Sequence, residues 1–268
     1  MRSKVILVIL DGCRPDALAQ AHTPHIDSLW QAGAYTWEAQ TVTPSISLPT
    51  HMSMFKGVAP DKHGVMDNVF APSARAFPSV VEVAHKAGLH TAMFYDWEPL
   101  RDLNAPESLH LSYFRAYRHG AGEPTGAVVA EMAAAYLAGE QPDLCVIYMG
   151  NIDEIGHRFG WMSPPYLDAV SQGDRAVGWV LDALGAAGLR ERYAFLVLAD
   201  HGGHERDHAG GAPEDLTIPW ILSGPGVKRG HRIRTPVRIH DTPATVARLL
   251  DLPRPDVWDG QPVDEALA

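Results

Sequence analysis

The sequence predicts an α/β protein, a single α/β/α sandwich around a mostly parallel sheet, and three observations predict it. Short, continuous apolar runs such as Val5-Ile6-Leu7-Val8-Ile9-Leu10 and Phe195-Leu196-Val197-Leu198 read as strands buried on both faces, as in a parallel sheet. These runs alternate with segments of helical period, as βαβ connections require. Several of the runs end abruptly in an acid or an Asp-His pair followed by glycine, which is where an open α/β sheet places its site.

The elements follow in order. The first strand, Val5 to Leu10, stops at Asp11-Gly12, and Thr23-Pro24 starts a short helix through Leu29 and Trp30 that Gly33 closes. The stretch Thr43-Pro44-Ser45-Ile46-Ser47-Leu48-Pro49-Thr50-His51 leads into a helix through Met52 and Phe55 that ends at Gly57. A turn is expected over Pro60-Asp61-Lys62-His63-Gly64, with Asn68 just beyond it. Val80, Val81, Val83 and Ala84 mark an amphipathic helix ended by Gly88, and His90 to Tyr95 a strand. Residues 97–124 show no clear period and read as a lid-like insertion. A helix over 127–137 precedes the strand 144–149, which feeds Asn151-Ile152-Asp153-Glu154-Ile155-Gly156-His157. A long helix over 165–184, the strand ending at Asp200, a strand over 217–222 and a helix from Thr242-Pro243 complete the pattern. No repeat or linker divides residues 1–268, so one domain is expected.

Composition narrows the function. A net charge of -10 with no basic run argues against nucleic-acid polymers as partners, although bound metal can still give an acidic protein a phosphate site. No stretch is long enough to span a membrane, so no membrane association is expected. The few apolar residues before Asp11 are too short for a signal segment; taken as the native start, they predict a cytoplasmic protein. Cys13 and Cys145 are neither a disulfide framework nor spaced as metal ligands, and read as buried thiols.

Three strand-end clusters carry ligand chemistry: Asp11; Asp153 with His157; and Asp200-His201 with His204 and His208. Packed together, such groups repel one another unless a cation neutralises them, and imidazole with carboxylate suits zinc, manganese or iron. A histidine-rich surface loop is the plainer reading of any one cluster, but three at one sheet edge suit two metal ions with open positions. Ser47, at a helix start, can cap the helix, bind an anion or act as a nucleophile.

These residues resemble the alkaline phosphatase superfamily, most closely its nucleotide pyrophosphatase/phosphodiesterase and phosphonoacetate hydrolase branch. The matching blocks are Val8 to Asp16, Ser47-Leu48-Pro49-Thr50-His51 with Gly57 and Pro60 to Gly64, Asp153 to His157, and Asp200-His201-Gly202. The resemblance implies a hydrolase of phosphate esters, phosphodiester or nucleotide pyrophosphate preferred, acting on a small-molecule phosphate ester. It implies that Ser47 attacks phosphorus and forms a phospho-enzyme intermediate. It also implies two divalent ions, zinc first with manganese or magnesium as alternatives. One ion would be held by Asp11, Ser47, Asp200 and His201, and the other by Asp153, His157 and a later histidine. His208 is the first choice for that histidine, ahead of His204 and His240. Thr50 and Asn68 are the substrate-binding candidates; His25, His51 and His63 are expected to hold turns. Leu48 stands where nucleotide-cleaving relatives often carry an aromatic, and Ser47 where they usually carry threonine. A sulfatase reading ranks well below, because His51 replaces the arginine of the Ser/Cys-x-Pro-x-Arg motif. Phosphomonoesterase and phosphonate hydrolase remain as alternatives, and a metal-binding pseudoenzyme ranks below them.

Overall fold

The computed structural model describes residues 3–116 and 125–268. In chain order the elements are β1 (Lys4–Leu10), α1 (Pro15–Gln20), α2 (Pro24–Ala32), β2 (Ala34–Gln40), α3 (Ser47–Lys56), α4 (Pro60–His63), α5 (Val80–Lys86), β3 (Thr91–Tyr95) and β4 (Leu111–Phe114). They continue with α6 (Thr125–Glu140), β5 (Leu144–Met149), α7 (Asn151–Phe159), α8 (Pro164–Ala186), β6 (Tyr193–Leu198), α9 (Pro213–Leu216), β7 (Thr217–Ser223), β8 (His231–Arg232) and α10 (Thr242–Leu249).

The strands form one sheet in the order β4-β3-β5-β1-β6-β7-β2-β8. Among the described strands only β7 runs against the rest, pairing antiparallel with both β6 and β2. The expected mostly parallel α/β architecture is therefore what the chain adopts. The register Val8↔Ile147 and Val8↔Val197 places β1 between β5 and β6. All residues of β5 and β6 and nearly all of β1 are buried, so both faces of the sheet are covered. One packed group of helices comprises α1, α2, α6, α7 and α8, and a second comprises α3, α4, α5 and α10.

The chain departs from expectation chiefly in its outer strands and turns. β2 was not foreseen, because its half-buried alternation in AYTWEAQ lacks the continuous apolar run of the central strands. The turn expected at Pro60 is the single helical turn α4, closed by Gly64 at φ 78°. Residues 97–124 do not form only an excursion: they contain a 3-10 helix, Glu98–Leu103, and the edge strand β4, which extends the sheet beside β3. Residues 117–124 of that expected insertion lie outside the described residues.

What this topology does for function is local. Because β5, β1 and β6 are neighbours and parallel, their C-terminal ends lie side by side. Asp11 follows β1, α7 with Asp153 and His157 follows β5, and Asp200-His201 follows β6.

Candidate metal centre and nucleophile

Asp11 leaves the end of β1 into a sharp turn. Gly12 has φ 69°, and a Cβ there would lie 3.0 Å from the Cβ of Asp153, so glycine lets the β1 turn and α7 meet closely. The Gly12 amide donates to Asp200 Oδ1 at 3.1 Å, tying the β1 and β6 ends together. The Gly12 carbonyl accepts from Trp161 Nε1 and Tyr166 Oη.

Ser47 is the first residue of α3. Its Oγ lies 3.2 Å from His201 Nε2, which is itself 3.4 Å from Asp11 Oδ1 and 3.3 Å from Asp200 Oδ2. On α7, Asp153 and His157 are one turn apart and share a face, with Oδ2 and Nε2 3.5 Å apart. His208 arrives from the loop after β6. It is stitched to the residues before Ser47: Ser45 Oγ donates to the His208 carbonyl at 2.5 Å, and His208 Nδ1 donates to the Ser45 carbonyl at 2.6 Å. His208 Nε2 then lies 3.8 Å from Asp153 Oδ1, and its ring stacks on His201 with centroids 3.8 Å apart.

The three imidazoles are oriented alike. A carbonyl can only accept, so Nδ1 carries the proton where His157 meets Arg206 O, His201 meets Gly202 O and His208 meets Ser45 O. With Nδ1 engaged in this way, Nε2 of each ring is turned toward carboxylates, the orientation that fixes a metal-binding histidine. Burial, then the neighbouring His201, pushes His208 down to about 3, so it is neutral. Burial pushes Asp153 and Asp200 up to about 7, reinforced by Asp11 for the first and Asp153 for the second. Asp11 is also raised well above its ordinary range, by burial and then by Asp200. Asp11 Oδ1 and Asp153 Oδ1 are buried with no hydrogen-bond partner. Crowded carboxylates held against ionisation, with imidazole Nε2 atoms turned toward them, fit divalent metal.

The ligand atoms of Asp153, His157 and His208 lie within 4.8 Å of one another, as do those of Asp11, Asp153 and His201, and of Asp11, His51 and Asp200. Of the three histidines considered for the last ligand, the fold brings His208 to the cluster. His204 instead pairs with Asp215 at 2.7 Å, and His240 follows the short β8 segment, ahead of α10. His51 gives its Nδ1 proton to the Ser47 carbonyl at 2.6 Å, and His63 bonds to the Ser53 hydroxyl of α3 and to the nearby Val65 amide. His25 packs over Gly178, away from the cluster.

A cavity of about 370 Å³ opens over Ser47 and is lined by Asp11, Asp153, His157, His208 and Asn68, with Asp96, Trp97, Phe114 and Tyr148 as further wall. Asn68 Oδ1 accepts from the Leu48 amide at 3.0 Å, a bond that does not use its Nδ2 donors. Thr50 does not reach the cavity, contrary to expectation. It is fully buried one turn into α3, and its hydroxyl bonds to the Ser47 carbonyl at 2.7 Å and Asp200 Oδ2 at 3.3 Å. Leu48 is likewise buried in the core. Trp97 lines this cavity, whereas Arg14, Tyr95, Trp161 and Tyr166 stand outside its lining. Tyr148, Asp96 and Phe114 were not foreseen. A phenol at the end of a buried apolar strand was the available signal for Tyr148, since such a group needs a polar partner.

The sheet order and the ligand clusters at the ends of β5, β1 and β6 define the α/β fold of the alkaline phosphatase superfamily. A sequence profile of the type I phosphodiesterase / nucleotide pyrophosphatase family matches residues 5–210, and the chain belongs to that family. Human ectonucleotide pyrophosphatase/phosphodiesterase family member 7 is 24% identical over 226 residues, covering 75% of this chain and 48% of the relative. The venom phosphodiesterase of Macrovipera lebetinus is 26% identical over 225 residues, covering 75% of this chain and 26% of the relative. The chain thus aligns with about half the length, or less, of these relatives. An inactive variant of murine ectonucleotide pyrophosphatase/phosphodiesterase 5, solved in complex with AMP, superposes with a TM-score of 0.79 at 15% identity, over 99% of this chain and 100% of that one. A putative sulfatase from Bacteroides thetaiotaomicron superposes with a TM-score of 0.82 at 14% identity, over 99% of this chain and 75% of that one.

Proposed function

We propose that the protein is a metal-dependent hydrolase of small phosphate esters that prefers phosphodiester or nucleotide pyrophosphate bonds and works through a phosphoserine at Ser47. One observation carries this reading: the Ser47 hydroxyl opens onto the cavity while lying 3.2 Å from His201 Nε2, beside the Asp11 and Asp200 carboxylates. Asp11, Ser47, Asp200 and His201 would hold one divalent ion, zinc in the first instance, and Asp153, His157 and His208 the other. Bound metal would neutralise the crowded carboxylates, lower the pKa of the serine hydroxyl and polarise the phosphoryl group.

The chain's own groups do the rest. The α3 start fixes Ser47 Oγ at the cavity floor, and Oγ attacks phosphorus as the P–O bond to the leaving group breaks. Asn68 Nδ2 donates to a phosphoryl oxygen on which charge accumulates. Water then cleaves the phosphoserine, returning Ser47 and releasing the phosphorylated product. Family membership and the AMP-bound neighbour support nucleotides among the substrates. The absence of an aromatic at Leu48 leaves any stacking to Trp97 or Phe114.

The test is hydrolysis of bis-p-nitrophenyl phosphate beside p-nitrophenyl phosphate and p-nitrophenyl sulfate, on metal-stripped protein re-supplied with zinc, manganese or magnesium. Metal-dependent diester turnover is expected. A monoester preference would move the assignment to a phosphomonoesterase, and a sulfate preference would overturn it.

A further inference from the structure

We propose that Tyr148 is a positioning residue for the Asp11 side of the metal centre, its buried hydroxyl fixing which carboxylate oxygen of Asp11 faces Ser47 and His201. The inference rests on the two-metal reading above. Tyr148 stands near the C-terminal end of β5 in register with Ile9 of β1, two residues before Asp11. The side chain is 2% exposed, and its Oη donates to Asp11 Oδ2. That bond occupies one Asp11 oxygen and leaves the other, Oδ1, buried without a hydrogen-bond partner and 3.4 Å from His201 Nε2.

Two neighbours hold the phenol in place. The His51 ring meets it edge-on with centroids 5.2 Å apart, and the same His51 donates to the Ser47 carbonyl. At Gly150 a Cβ would lie 3.2 Å from Tyr148 Oη, so the missing side chain leaves the hydroxyl its space. A carboxylate free to rotate presents either oxygen to an ion. One pinned by a neutral donor presents a single oxygen in a fixed direction, and loss of such a partner typically weakens metal affinity 10–100-fold, to order of magnitude.

The experiment compares wild type with Tyr148→Phe, which deletes the oxygen and keeps the ring, as full-length chains. Zinc affinity and stoichiometry are read by competition with a chromogenic chelator, alongside kcat and KM for bis-p-nitrophenyl phosphate and a thermal melt. The expected result is a tenfold or greater loss of affinity at one of two sites, with the other unchanged. kcat should fall at limiting zinc and recover at excess zinc, with KM near wild type. Gly150→Ala, which keeps the phenol but crowds it, is expected to weaken the same site. Unchanged zinc affinities in both variants would overturn the proposal, and so would a raised KM with affinities intact, which marks a substrate contact. A wild-type chain that binds no divalent ion at all would instead overturn the two-metal reading beneath it.

Discussion

Ser47 and Thr50 lie on one turn of α3 and divide the work between them: the first opens onto the cavity, and the second holds the carboxylate behind it. Ser47→Ala removes the hydroxyl proposed as nucleophile while adding no bulk. Turnover of a diester substrate is expected to fall by roughly 10³-fold or more with the fold intact, as judged by steady-state rates and circular dichroism. Residual turnover near wild type would exclude Ser47 as nucleophile. Thr50→Val keeps the shape but removes the single hydroxyl proton that reaches the Ser47 carbonyl at 2.7 Å with Asp200 Oδ2 3.3 Å away. A buried polar group losing its donor costs about 1–3 kcal/mol, which urea denaturation of the metal-free protein measures. An unchanged midpoint would show that the hydroxyl contributes nothing there.

At the scale of elements, the close approach of the β1 turn to α7 decides whether Asp11 and Asp153 meet. Gly12→Ala forces a side chain into φ 69° and against Asp153. The backbone cost alone is ~1–2 kcal/mol. We expect a lower melting temperature together with weaker zinc binding, measured by calorimetry and by titration; loss of stability without loss of binding would separate the turn from the site. How much of this was legible in the sequence follows from the same elements. β1, β5 and β6 announce themselves as continuous apolar runs because they are buried on both faces, and their last residues therefore stand out as acids and histidines. β4 and β8 are short edge strands and β2 is half exposed, so their patterns resemble loops. Thr50 and Asn68 were both readable as polar residues near Ser47, but which of them faces the cavity depends on the packing of α3 against Asp200. Tyr148 was hidden by the same burial that made β5 easy to see, because within the apolar run a phenol passes for core.

For the whole molecule, the carboxylate cluster couples metal, pH and stability. In the metal-free protein burial, and then a neighbouring carboxylate, push Asp153 and Asp200 up to about 7 from an ordinary value of 3.8. A folded-state pKa raised in this way means that the fold holds protons the unfolded chain releases. Metal-free stability should therefore be fully present below pH 4 as far as these groups are concerned, and fall as pH rises toward 7. Divalent metal binds the ionised carboxylates, so the rise in melting temperature on adding zinc should be larger at pH 8 than at pH 5. A zinc effect independent of pH across that range would argue that these carboxylates do not hold the ion. Covalent catalysis by Ser47 is tested most directly by trapping its intermediate. Zinc-loaded enzyme would be mixed with bis-p-nitrophenyl phosphate, quenched in acid during turnover and digested for mass spectrometry. A phosphoryl or p-nitrophenyl-phosphoryl adduct on the peptide containing Ser47, absent from Ser47→Ala, is the predicted result. Steady diester turnover with Ser47 unmodified, and persisting in Ser47→Ala, would contradict it.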